Sequence, residues 1–155
     1  MNTELLLLTP VVYLLLVGLP IVVSDFRVAR VPNKYTLPAL YIWLIVSITH
    51  AVVSGEWIWS LVMPIVFGLL TMFIGVYFSG RGVIGMGDVK LITFMGLTLS
   101  WKFAWVWLII PAGSLLIGLL VAVFHYFART NATAIRLAPA IYLVYLVLIA
   151  TLFLN

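Results

Sequence analysis

Twelve charged side chains divide this chain, and the spaces between them decide what it can fold into. Residues 5–24, 35–55, 57–80, 103–128 and 137–155 carry no charge, in runs of 20, 21, 24, 26 and 19 residues. Each is long enough for a helix to cross the hydrocarbon core of a bilayer, which takes roughly 20 residues. Charged residues make up 8% of the chain against 66% hydrophobic ones, and a soluble domain runs at about 25% charged. A surface this apolar belongs in lipid. The backbone must then satisfy its own hydrogen bonds, and with no polar-alternating strand pattern anywhere, helices are the only candidates. The expected fold is all-α: a polytopic membrane helix bundle in one domain over residues 1–155, with no room for a separate soluble domain.

The sixth run is the informative one. Residues 91–101 give only 11 uncharged positions, about 16 Å of helix. Extending this segment back through Asp88 to about Gly82 restores a full span; otherwise it is partly re-entrant. Both versions place a carboxyl group at or below headgroup level. With six spans, Arg27, Arg30, Lys34, Arg81, Lys90, Arg129 and Arg136 fall on one side and only Lys102 on the other. Cations mark the cytoplasmic side, so both termini are expected outside. A five-span arrangement gives a six-to-two split and fits less well. No cationic region precedes the first apolar run, so that run reads as a retained span rather than a cleaved signal.

Other counts exclude chemistries. The chain has no cysteine, so no disulfide, thiolate metal site or cysteine nucleophile is available. His50 and His125 lie late in the second and fifth spans with no paired ligands, and no metal or other cofactor is expected. The net charge of +4 comes without the basic run that nucleic acid binding requires. Six Trp and seven Tyr suit an interfacial belt.

Four acids remain. Glu4 and Glu56 read as solvated end residues on the outer side. Asp25 ends the first span and Asp88 begins the fourth, both on the basic side. Each alone is compatible with an interfacial pair to a neighbour such as Arg27 or Lys90. An ionised carboxylate at membrane depth is costly, however, and usually has a role. Two carboxyls that meet in a water-poor bundle share one proton. The ionised member then takes a proton from water while the protonated one polarises a carbonyl, which is the chemistry of an aspartic peptidase. Sixty-three positions separate the two, so spacing alone does not bring them together.

Their surroundings are more specific. The first reads Asp25-Phe-Arg-Val-Ala-Arg-Val-Pro32-Asn33-Lys34 and the second Gly85-Met86-Gly87-Asp88-Val89-Lys90. The second is a GxGD motif, and with the D-x6-P-N of the first it resembles the type IV prepilin leader peptidases, a family of membrane aspartic peptidases. Leu137-Ala138-Pro139-Ala140 is similar to the family's F-G-P-containing element at the start of the last helix. The resemblance covers roughly residues 15–150. It implies Asp25 and Asp88 as catalytic residues, supported by Gly85, Gly87, Lys90, Pro32, Asn33 and Pro139. It also implies removal of a short basic leader from a prepilin at the cytoplasmic face of the bacterial inner membrane. Larger relatives carry a tetracysteine zinc site and methylate the new pilin N-terminus; this chain resembles the short, peptidase-only form of Flp-type pilus systems, so methylation is not expected. The sequence leaves the oligomeric state open.

Physical reasons accompany several of these residues. Glycines at 85 and 87 permit unusual backbone angles and close approach of another chain, while Gly68, Gly75, Gly113 and Gly118 read as helix packing. Asn33 or Thr36 can cap the second helix, with Pro32 stiffening the preceding loop and Pro38 in the first turn. Lys90 can steady the two acids, meet an acidic substrate residue or contact a lipid headgroup. Two other functions compete: a small proton-coupled transporter using the acids as relay groups, and a non-catalytic scaffold. Transporter sites usually lie near the midplane between inverted repeats; here the acids share one face and no repeat is visible.

Overall fold

In a computed structural model, residues 4–28, 31–81, 84–101, 105–127 and 137–153 are described. They form helices α1 (Glu4–Leu7), α2 (Thr9–Val28), α3 (Asn33–Ser54), α4 (Met63–Gly80), α5 (Met86–Leu99), α6 (Val106–Phe127) and α7 (Ala138–Phe153), with a short π-helical turn, Ile58–Val62, leading into α4. No strand occurs among the described residues. The fold is an all-α bundle. Three stretches are long and apolar enough to cross a membrane: Leu5–Asp25, Asn33–Ser54 and Ile58–Gly80. Arg30, Lys102, Arg129 and Arg136, on which the charge asymmetry partly depends, lie outside the described residues, as do both chain ends.

Prolines explain several boundaries. Pro10 has no N–H and its ring crowds the Leu6 carbonyl, and the chain breaks between α1 and α2 just ahead of it. Pro64 would likewise meet the Ser60 carbonyl in a regular helix, and the turn widens to a π-helix over Ile58–Val62 immediately before it. Gly55 closes α3 with φ 76°, donating its N–H to Ala51 O, the left-handed cap that glycine adopts without steric penalty. Pro38 departs from the first-turn expectation. Because α3 begins at Asn33, Pro38 sits inside the helix.

The centre of the bundle is α5. Every residue from Leu91 to Leu99 is buried, as a helix apolar on all sides requires. Leu91, Ile92, Met95 and Leu99 pack with Leu14 and Ile21 of α2, Ile110 of α6, and Ile141 and Tyr145 of α7. A second cluster joins Trp43 of α3 to Phe94, Leu97 and Trp107. One buried hydrogen bond, Thr98 Oγ1 to Tyr145 Oη at 2.9 Å, ties α5 to α7. The outward faces are apolar as well: Leu16, Leu19, Leu69 and Phe73 are all more than 60% exposed, which suits lipid rather than water.

The helix does not extend back to Gly82. It starts at Met86, and its 14 residues span about 21 Å, short of the ~30 Å core. Glycine is poor inside a helix, and Gly85, with φ −68° and ψ 140°, is the N-cap instead. Asp88 is thereby set in the first turn of the most enclosed helix of the bundle.

Candidate active site

Chain direction gathers four helix ends at one pole of the bundle: the end of α2, the start of α3, the end of α4 and the start of α5. The described cations cluster there. Arg27 is in the last turn of α2, Lys34 in the first turn of α3, Arg81 directly follows α4, and Lys90 is in the early part of α5. Arg81 lies over the Tyr77 ring at 4.1 Å and Lys34 over Tyr35 at 4.9 Å. Lys90 reaches across to Asn33 instead.

A pocket of about 270 Å³ opens at this pole, lined by Asp25, Val31, Gly85, Met86, Gly87, Asp88 and Lys90. The two acids separated by 63 positions therefore face one space. Asp25 is only 6% exposed, in the last turn of α2. Asp88 is at the third position of α5, half-buried, and the Asp25 carboxyl acts on it electrostatically. Its own amide donates to Gly85 O at 3.0 Å and its carboxylate turns back over the Gly85 amide. That is the acidic half of a capping box, which fixes where the carboxyl points. Anions near a helix N-terminus are also favoured by the helix dipole.

The glycines work differently from the sequence expectation. Gly55 is the only described glycine with positive φ, so neither Gly85 nor Gly87 is there for an unusual backbone angle. Space is the reason. A Cβ on Gly85 would lie 2.9 Å from Asp88 Oδ2. A Cβ on Gly87 would lie 3.0 Å from Val31 Cβ and Cγ2 and 3.2 Å from Val31 N. The chain that approaches Gly87 closely is the protein's own, the segment following Asp25. Gly68, Gly75, Gly113 and Gly118 do mark packing, against Leu97, Val89, Val144 and Leu137 respectively.

A second link joins the motifs. Lys90 Nζ donates to Asn33 Oδ1 at 3.1 Å, across 57 residues of sequence. Pro32, at φ −71° and ψ 130°, is the N-cap of α3 without a side-chain capping bond. Neither Asn33 nor Thr36 caps that helix with its side chain; Thr36 Oγ1 reaches Asn33 O at 3.5 Å. Asn33 is thus left to hold Lys90. Sequence reading missed this pair because only tertiary contact reveals it. Pro139 is the second residue of α7, at the start of the last helix, and it does not line the acid pocket.

At the opposite pole, His50 Nδ1 and Ser60 Oγ are hydrogen-bonded at 2.9 Å, both buried. Seventeen residues separate His50 from Asn33, about 26 Å along α3, so this pair is remote from the acids. Among the described residues no group of three or more His, Cys, Asp or Glu could hold a metal ion.

Two carboxyls lining one open pocket form a site able to activate water against a peptide carbonyl. No curated protein and no solved structure matches the chain. A family model does, over residues 11–153, a stretch that includes both acids and all three motifs; the chain belongs to the type IV leader peptidase family.

Proposed function

We propose that the chain is an aspartic endopeptidase that removes the short basic leader of Flp-like type IV prepilins at the cytoplasmic face of the inner membrane. The observation that carries this reading is the shared pocket: Asp25 and Asp88, one from each motif, line the same 270 Å³ space. Each carboxyl facing that space disfavours ionisation of the other, and in this reading the pair holds one proton between them when it is active. The ionised member accepts a proton from a water molecule as its oxygen attacks the scissile carbonyl. The protonated member donates to the carbonyl oxygen as charge develops there. Collapse of the tetrahedral intermediate passes a proton to the leaving amine, and the dyad returns to its singly protonated state. No metal, cysteine or serine takes part.

Roles for the neighbours follow from their contacts. Gly85 leaves room for the Asp88 carboxyl, Gly87 seats Val31, and Lys90 with Asn33 ties the two motif segments together. The described cations Arg27, Lys34, Arg81 and Lys90 share the pole of the acids, which supports a cytoplasmic placement of the site by the positive-inside rule. The transporter reading has less support, since both acids sit at that pole rather than at mid-depth.

Co-expression with candidate Flp-like prepilins, scored by mass, tests the proposal. The expected result is a pilin shortened by its leader only when the peptidase is present. Proton flux into liposomes bearing the purified protein, with no prepilin shortened, would favour the transporter.

A further inference from the structure

Helices α3 and α4 meet at one pole and part toward the other. At the far pole α3 packs on the π-helical turn that opens α4, and the His50–Ser60 bond closes that junction. Beyond it α3 and α4 make no comparable contact, while α4 leans on α5 throughout, with Gly68 against Leu97 and Gly75 against Val89. The result is a cleft between α3 and α4 whose polar end lies toward the acids. Its cavity is about 330 Å³, walled by Leu37 and Leu40 of α3 and by Leu69 and Met72 of α4, with Phe94 and Leu97 of α5 as its floor. Polar groups occur at one end, where Asn33, Thr36 and Lys90 stand. Lys90 also lines the acid pocket, so the two spaces adjoin.

We propose that this cleft is the berth of the apolar substrate helix that adjoins the scissile bond. The inference rests on the peptidase reading above and says how the bond reaches the acids. Any peptide segment held at this depth must be helical, because only a helix satisfies its backbone in hydrocarbon. The cleft runs from Asn33 to Trp43 along α3, about 15 Å or three helical turns. That length takes side chains at i, i+3 or i+4, and i+7 of one helix face, the usual pattern of a helix in a groove. The rim is open to the bilayer, with Leu37 45% and Leu69 66% exposed, so a membrane-resident helix enters sideways. Only 11% of the most apolar window of the α4 span is buried, leaving a face for an added neighbour. An occupant that follows the cleft to its polar end arrives beside Asp88.

The absence of native cysteine allows a direct test. The probe is a synthetic peptide with a Lys-rich leader followed by a Leu/Ala helix of about 20 residues carrying a single cysteine near its start. Disulfide trapping in proteoliposomes is measured with Leu37→Cys, Leu69→Cys and, as an outward-facing control on α7, Val147→Cys, each on an Asp88→Asn background so that trapping does not depend on cleavage. Expected are several-fold more adducts at the two rim positions than at the control. In the active protein, Leu69→Trp, which fills the rim, is expected to raise KM for the same peptide about tenfold with kcat nearly unchanged, the pattern of lost uniform binding. Equal trapping at all three positions, or an unchanged KM, overturns the proposal. So does a photoactivatable phospholipid that labels the rim and is not displaced by excess peptide, since the cleft is then a lipid site. Rim adducts with no cleavage by the wild-type protein would instead sink the peptidase reading and leave the docking site standing.

Discussion

Replacing Gly87 by alanine separates catalytic geometry from folding. The added Cβ would stand 3.0 Å from Val31 Cβ and Cγ2 and 3.2 Å from Val31 N, whereas carbon contacts are comfortable at about 3.5–4.0 Å. The overlap of roughly 0.5–1 Å falls on Val31 Cβ, which is fixed to the backbone and has no rotamer to turn away, and on its Cγ2. The segment bearing Val31, six residues after Asp25, has to recede from the first turn of α5, which carries Asp88. Stability falls modestly, because an overpacking cost of about 1–3 kcal/mol is only partly offset by the ~0.5–1 kcal/mol that alanine gains over glycine in a helix. Turnover changes a great deal. A displacement near 1 Å in a catalytic constellation costs on the order of 100-fold. Initial rates of leader removal in proteoliposomes, with a melting curve on the same sample, give both quantities. Adding Val31→Gly, which removes both the Cβ and the Cγ2 at 3.0 Å, is expected to recover about tenfold of the loss, the non-additivity that contacting residues show. A Gly87→Ala protein with wild-type turnover would refute the packing argument, and so would a double variant as slow as the single one.

Three further outcomes are expected. Asn33→Ala and Lys90→Met should each slow processing, and together no more than either alone, because both remove the same 3.1 Å bond; additive losses would show separate roles. Rate against pH should be bell-shaped, since only the singly protonated dyad is competent, whereas a single sigmoid would mean one acid acts alone. His50→Ala should lower the melting temperature, because it strips Ser60 of its buried partner at a cost of about 1–3 kcal/mol; an unchanged melting curve would show that the bond contributes nothing.

Much of this was legible in the chain itself, for a physical reason. Charges are so expensive in hydrocarbon that twelve of them mark out the helices, and an acid kept at such depth is conspicuous, so Asp25 and Asp88 stand out without coordinates. Gly68, Gly75, Gly113 and Gly118 fit packing because a missing Cβ in an apolar helix has little other use. Hydropathy fails where it has no contrast to read. A helix buried in protein and one facing lipid are equally apolar, so the enclosure of α5, and its start at Met86 rather than Gly82, did not show. Contacts across long separations were invisible too. Nothing in the sequence says that Asn33 holds Lys90 instead of capping α3, or that the chain approaching Gly87 is Val31. Pro38 was misplaced by a turn because the start of α3 is set by Pro32, whose fixed φ serves as the cap.

The most direct measurement is the cleavage rate of a leader-bearing pilin by Asp25→Asn, Asp88→Asn and the double variant, each shown to be folded and inserted. Both single variants should lose cleavage, and the double variant should be no worse than either, because members of one catalytic unit are not additive. Glu56→Gln, at the far pole, should turn over nearly as the parent does. Sustained processing by either Asn variant would contradict the two-carboxyl mechanism and return the acids to a relay or packing role.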